Sequence, residues 1–184
     1  MSETIEQKGL TRLRKIKSGY QTLIRENFEF AAKSCGACET FGACCVDEHF
    51  VNVSVSKLEA VAIVEVIKST YGETKLREVR ERAKAAIEKY GLRDDGDLSQ
   101  TFACPLFEQN IGCLVHDEAK PAPCISHACY ENRENLPPQF LQDRVESQIE
   151  TLNNEIYGES ELRSIPIQII SQNSTPSINP KFKI

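Results

Sequence analysis

Residues 35–45 read Cys-Gly-Ala-Cys-Glu-Thr-Phe-Gly-Ala-Cys-Cys, four thiols within one short turn-rich stretch. Cys35, Cys38, Cys44 and Cys45 are answered much later by Cys104, Cys113, Cys124 and Cys129. The spacings are C-x2-C-x5-C-C and C-x8-C-x10-C-x4-C. The opening MSETIEQKGLTRLRKIK is polar and charged and has no apolar run resembling a secretion signal. A cytoplasmic, reducing location is therefore expected, where grouped thiols point to metal ligation or redox chemistry before disulfides. A site drawing on both groups has to be assembled by the fold, so the intervening chain must bring two distant loops together.

Working outward, Leu10, Leu13, Ile16, Tyr20, Leu23, Ile24 and Phe28 recur at helical spacing and predict an amphipathic helix within residues 1–34, stopping near Ser34. Phe50, Val51, Val53 and Val55 form a short β-like run. Ser56 and Glu59 then make a capping box for a helix to about Thr70 that is apolar almost all round. Thr74 opens a further helix with Leu76, Val79, Ala83, Ala86, Ile87 and Tyr90 on one face, closed by Gly91. Thr101 to His116 is read as a hairpin with its loop near Glu108-Gln109, which would set Cys104 opposite Cys113. Pro137-Pro138 fits the first turn of a last helix within residues 131–160, whose stripe is Leu141, Val145, Ile149, Leu152 and Ile156. Residues 161–184 are taken as a tail, in which Ile165, Ile167 and Ile169 alternate as an edge strand would. The fold class expected is α+β, mostly helical. In it a cysteine-bearing domain over residues 35–130 has two central helices and a site built from loops and a hairpin.

Thiolates bind soft or borderline metals, so zinc and iron–sulfur are the candidates, and calcium and magnesium are not. Gly36 and Gly42 supply the sharply turned backbone that wrapping an ion requires, with amide N–H groups turned inward to offset the charge. In an extended segment Cys44 and Cys45 would point to opposite sides, an awkward pair for one mononuclear ion. A single closed zinc site would also leave half the thiols without a role. The alternatives are two ions, a multinuclear cluster, or redox chemistry at one thiol of the pair. Some of the eight can equally be small buried apolar residues. His127, between Cys124 and Cys129, is the best nitrogen candidate, as ligand or as a hydrogen-bond partner to a thiolate. His116 is expected near the same region, and His49 is the weakest of the three.

Net charge is −5, which argues against a nucleic-acid-coating surface. The basic group Lys8, Arg12, Arg14, Lys15 and Lys17 is read as a solvated helix face. There is no Gly-rich phosphate loop, no G-x-S-x-G elbow and no H-E-x-x-H, and Asp94, Asp95 and Asp97 read as a solvated acidic turn. No membrane insertion is expected.

Cys38 with the Cys44-Cys45 pair, Cys104-Pro105, Gly112-Cys113, and Pro121 followed by Cys124 and Cys129 resemble the YkgJ-type cysteine-cluster family, described as zinc- or iron-chelating. The resemblance covers roughly residues 35–130. It implies a metal site and no particular reaction. Three functions follow. One is a protein holding a [4Fe–4S]-like cluster, for electron transfer or as an accessory to modification of another protein, with Phe41, Phe50, Phe102 and Phe107 limiting water access. Another is an interaction module fixed by zinc, at about 10 kcal/mol per structural site, that meets an unknown protein partner. The third is a thiol-redox protein using Cys35 and Cys38 as a dithiol, although the strand–helix context usual for such a dithiol is missing.

Overall fold

In the computed structural model, residues 3–33, 40–46, 51–130 and 132–172 are described. Cys35, Gly36, Cys38, His49 and Phe50 lie outside them. Helix α1 spans Ile5–Asn27 and begins at the capping box of Thr4 and Gln7. Its buried side is Gly9, Leu10, Leu13, Lys17, Tyr20 and Ile24. The helix is shorter than expected, because Phe28 leaves helical geometry and the chain passes through a 3-10 turn at Glu29–Ala31 into strand β1 (Ala32–Lys33). Helix α2 is a single turn, Ala43–Val46, and strand β2 is Ser54–Val55.

Helix α3 runs over Lys57–Tyr90 from the Ser56/Glu59 capping box to Gly91, which is left-handed at φ 61°. At Gly72, φ 84° and ψ 173° are non-helical, so α3 consists of the two expected helices joined at a kink. Strands β3 (Phe107–Glu108) and β4 (Gly112–Cys113) form the hairpin. A one-turn helix α4 (Ala122–Ile125) and strand β5 (Cys129–Tyr130) follow, then helix α5 (Gln139–Tyr157) directly after the two prolines. Strand β6 (Arg163–Ser164) and helix α6 (Ile165–Ser171) complete the described chain. Three two-stranded antiparallel sheets pair β1 with β5, β2 with β6 and β3 with β4. The mostly helical α+β expectation holds in this coarse form.

The core lies between α1, α3, α5 and α6, with Leu58, Ile63, Ile67, Leu152, Ile165 and Ile169 among its fully buried side chains. The buried Asn153 of α5 accepts from the Leu58 N–H at 3.1 Å and so satisfies an orphan donor at the start of α3.

Three expectations need correction. Residues 163–171 are not a tail: β6 pairs with β2, and α6 is helical with Ile165 and Ile169 fully buried. The Ile-Pro-Ile-Gln-Ile-Ile sequence satisfies the i, i+4 spacing of a helix as well as alternation, and Pro166 sits in the first turn where its missing N–H costs nothing. The hairpin register also differs. Phe107, not Cys104, lies opposite Cys113, because Pro105 has no N–H for a ladder and pairing starts beyond it. The basic face is not uniformly solvated, since Lys17 is only 3% exposed. Its position among Leu10, Leu13, Tyr20 and Ile24 puts it on the apolar stripe. Residues 173–184 lie outside the described residues.

Candidate functional site

Cys44 and Cys45 of the first group lie beside the second. The backbone N–H of Cys104 donates to the carbonyl of Cys45 at 2.8 Å, joining the loop that carries α2 to the segment entering the hairpin. On the other side, β1 pairs with β5 so that Lys33 lies opposite Cys129, two positions before Cys35 in the sequence. Cys45 is within electrostatic reach of Cys104 and Cys113, Cys104 of Cys124 and Cys113, and Cys124 of Cys113.

Gly42 makes this approach possible. Its φ of +85° is left-handed, and a Cβ there would stand 2.1 Å from the Phe107 ring. Phe41 packs on Phe107 with ring centroids 5.8 Å apart, and Phe102 is fully buried. Phe102 and Phe107 are thus core side chains, while Phe41 remains exposed. Hairpin and α3 are tied by Lys75, which donates to both carboxylate oxygens of Glu108 at 3.1 and 2.9 Å, and by Arg82 Nε, which donates to the Pro105 carbonyl at 2.9 Å.

Burial divides the thiols. It pushes Cys104, Cys113 and Cys124 above the ordinary thiol range, Cys124 to about 12, because a thiolate loses its hydration there. Against that, the backbone N–H groups of Leu106 and Phe107 favour the thiolate of Cys104, and that of Val115 favours the thiolate of Cys113. Amides aimed at two half-buried sulfurs suit thiolates held by a cation. Cys44 is exposed and stands apart. A hydrogen bond from Cys45 and another from His127 lower it to about 4, while Cys45, giving up its proton least readily, is raised. Of the two, Cys44 is the thiol whose ionisation is favoured.

The opposite-sides expectation for Cys44 and Cys45 therefore fails: they lie in a helical turn, not an extended segment, and their sulfurs are hydrogen-bonded to each other. His127 lies beyond the end of α4 and partners Cys44, the thiolate-contact alternative for this residue. His116 is exposed, its backbone N–H donating to the Cys113 carbonyl at 3.2 Å. Among the described residues, no group of three or more His, Cys, Asp or Glu side chains is already gathered as a metal-ligand shell. The thiols are neighbours, and their donor chemistry fits a soft or borderline ion, whose charge would offset the repulsion among them.

Sequence reasoning missed the groups behind the thiols. Lys17 Nζ donates to Glu59 Oε1 at 3.3 Å and to the Ala119 carbonyl at 3.4 Å, and Glu59 Oε1 accepts from the Ala122 N–H at 3.2 Å. The spacing of Lys17 along the apolar stripe was the available signal. No family model, curated protein or solved structure matches the chain. No described helix is long and apolar enough to cross a membrane.

Proposed function

We propose that the protein holds a metal centre, an iron–sulfur cluster or zinc, through thiols drawn from both cysteine groups. What supports it is the backbone bond from Cys104 to Cys45, which draws the two groups into one region, together with amides turned toward the Cys104 and Cys113 sulfurs. Cys45, Cys104, Cys113 and Cys124 would hold the centre from the buried side. Cys44 faces solvent beside them, and Cys35, Cys38 and Cys129 are the remaining candidates from sequence. Likeness to the YkgJ-type cysteine-cluster family belongs to this proposal and rests on the motif residues alone.

A bound cluster would supply one-electron chemistry, whereas zinc would supply charge and rigidity. The protein's own part is to bury the thiols, direct amides at them and screen them with Phe102 and Phe107. Electron transfer, or service to the modification of another protein, is the task that fits a cluster. Cys45→Ser and Cys104→Ser test the ligand roles. Each should lower bound metal well below that of the parent with the fold intact, and unchanged metal content in both would refute the assignment.

A second reading, thiol-redox chemistry, is favoured by one observation: Cys44 is exposed and has hydrogen-bond partners in Cys45 and His127, which favour its thiolate. The Cys35–Cys38 dithiol expected in that role lies outside the described residues.

A further inference from the structure

Between Cys113 and Cys124 the chain makes a loop whose middle is held from below by two charged side chains of the helical core. Lys17 of α1 and Glu59 of α3 are each only 4% exposed and bonded to each other. Lys17 reaches the Ala119 carbonyl, and Glu59 accepts from the Ala122 N–H. Ala119 and Ala122 are themselves buried, at 2% and 1% exposure. The other oxygen of Glu59 is engaged by the Ser56 N–H at 3.2 Å and hydroxyl at 3.3 Å, so the carboxylate is fixed by its own helix cap.

We propose that the buried Lys17–Glu59 pair is a clamp that positions Cys113 and Cys124 toward one another. Burying two charges costs desolvation, and an apolar pair of equal volume would fill the space as well. What an apolar pair could not do is take hold of one carbonyl and one N–H on the same loop. Lys17 donates to the first, Glu59 accepts from the second, and the two contacts lie three residues apart on the segment joining the thiols. Lys17 also lies within electrostatic reach of both Cys113 and Cys124. The clamp rests on the reading that these two thiols serve one centre, and Lys17 and Glu59 are positioning residues in it.

The test uses the full chain, first without metal. Lys17→Met alone leaves a buried carboxylate without its cation and endangers folding. The deciding variant is the neutral double Lys17→Met/Glu59→Gln, because glutamine still serves a capping box but gives up one of the two oxygens. N-ethylmaleimide labelling, read for each cysteine by peptide mass, should speed up about tenfold at Cys113 and Cys124, as expected for losing one or two hydrogen bonds that hold a segment closed. Cys45 and Cys104 should stay near the parental rate. Leu152→Ala, a core change between α1 and α5, controls for general loosening and should produce no such selectivity. Parental rates at Cys113 and Cys124, or an equal rise at all four thiols, would overturn the clamp. Zinc binding, measured separately by competition with a chelator, should be weaker in the double variant than in the parent. Selective labelling in a parent that takes up neither zinc nor iron would uphold the clamp and remove the metal reading.

Discussion

Cys104 and Cys45 are joined through their backbones, N–H to carbonyl at 2.8 Å, so the two thiol-bearing loops are fastened by the chain itself. The helical core is filled by apolar side chains, Leu58, Ile63, Leu152 and Ile169 among them, whose burial itself drives folding. Chelation under reducing conditions should therefore remove metal while leaving helical circular dichroism and a cooperative unfolding transition. Loss of both on chelation would mean that zinc makes the fold, as it does in small zinc-dependent domains.

Gly42 is the tightest point of the site. Gly42→Ala meets a left-handed φ of +85° and the ring of Phe107 together. Left-handed backbone costs about 1–2 kcal/mol and overpacking about 1–3 kcal/mol, so a loss of roughly 2–5 kcal/mol in denaturant unfolding is expected. A change below about 0.5 kcal/mol, the usual range for a surface substitution, would contradict the packing described.

Cys44 should react as a thiolate under mildly acidic conditions. Its lowered half-point near 4 puts the anion in the majority above that pH. In metal-free protein, alkylation of Cys44 by iodoacetamide should be nearly flat from about pH 8 to pH 5 and fall below it. His127→Ala removes a hydrogen bond and a favourable charge, so the half-point should move upward. A parental rate that climbs tenfold per pH unit up to about 8.5, as an ordinary thiol's does, would contradict the pairing.

Helix α6 closes the core on α3. Ile169→Ala should destabilise by about 2–5 kcal/mol, the range for a fully buried aliphatic side chain. A loss within about 0.5 kcal/mol would mean that residues 165–171 behave as a tail.

The fold was legible where a single period and a cap agreed. Ser56 with Glu59, Gly91 and the stripe from Val145 to Ile156 mark helices that the structure contains. It was illegible where two patterns fit the same residues. Ile165, Ile167 and Ile169 alternate like a strand, and only packing on α3 selects the helix. The hairpin was readable from its turn, but its register turned on the missing N–H of Pro105. At the site, the number and spacing of the cysteines pointed to two loops converging, and Cys45 does lie beside Cys104. That Lys17 is buried, and that Glu59 serves a loop as well as its own cap, depends on long-range packing that local sequence does not record.

Metal and acid-labile sulfide content of the protein isolated without oxygen tests the proposed centre most directly. Iron with a matching amount of sulfide identifies a cluster, and stoichiometric zinc without sulfide identifies the simpler ion. Either is expected to fall in Cys45→Ser. A parent protein carrying neither metal, with the Cys104, Cys113 and Cys124 thiols all open to titration on unfolding, would contradict a metal centre at this site.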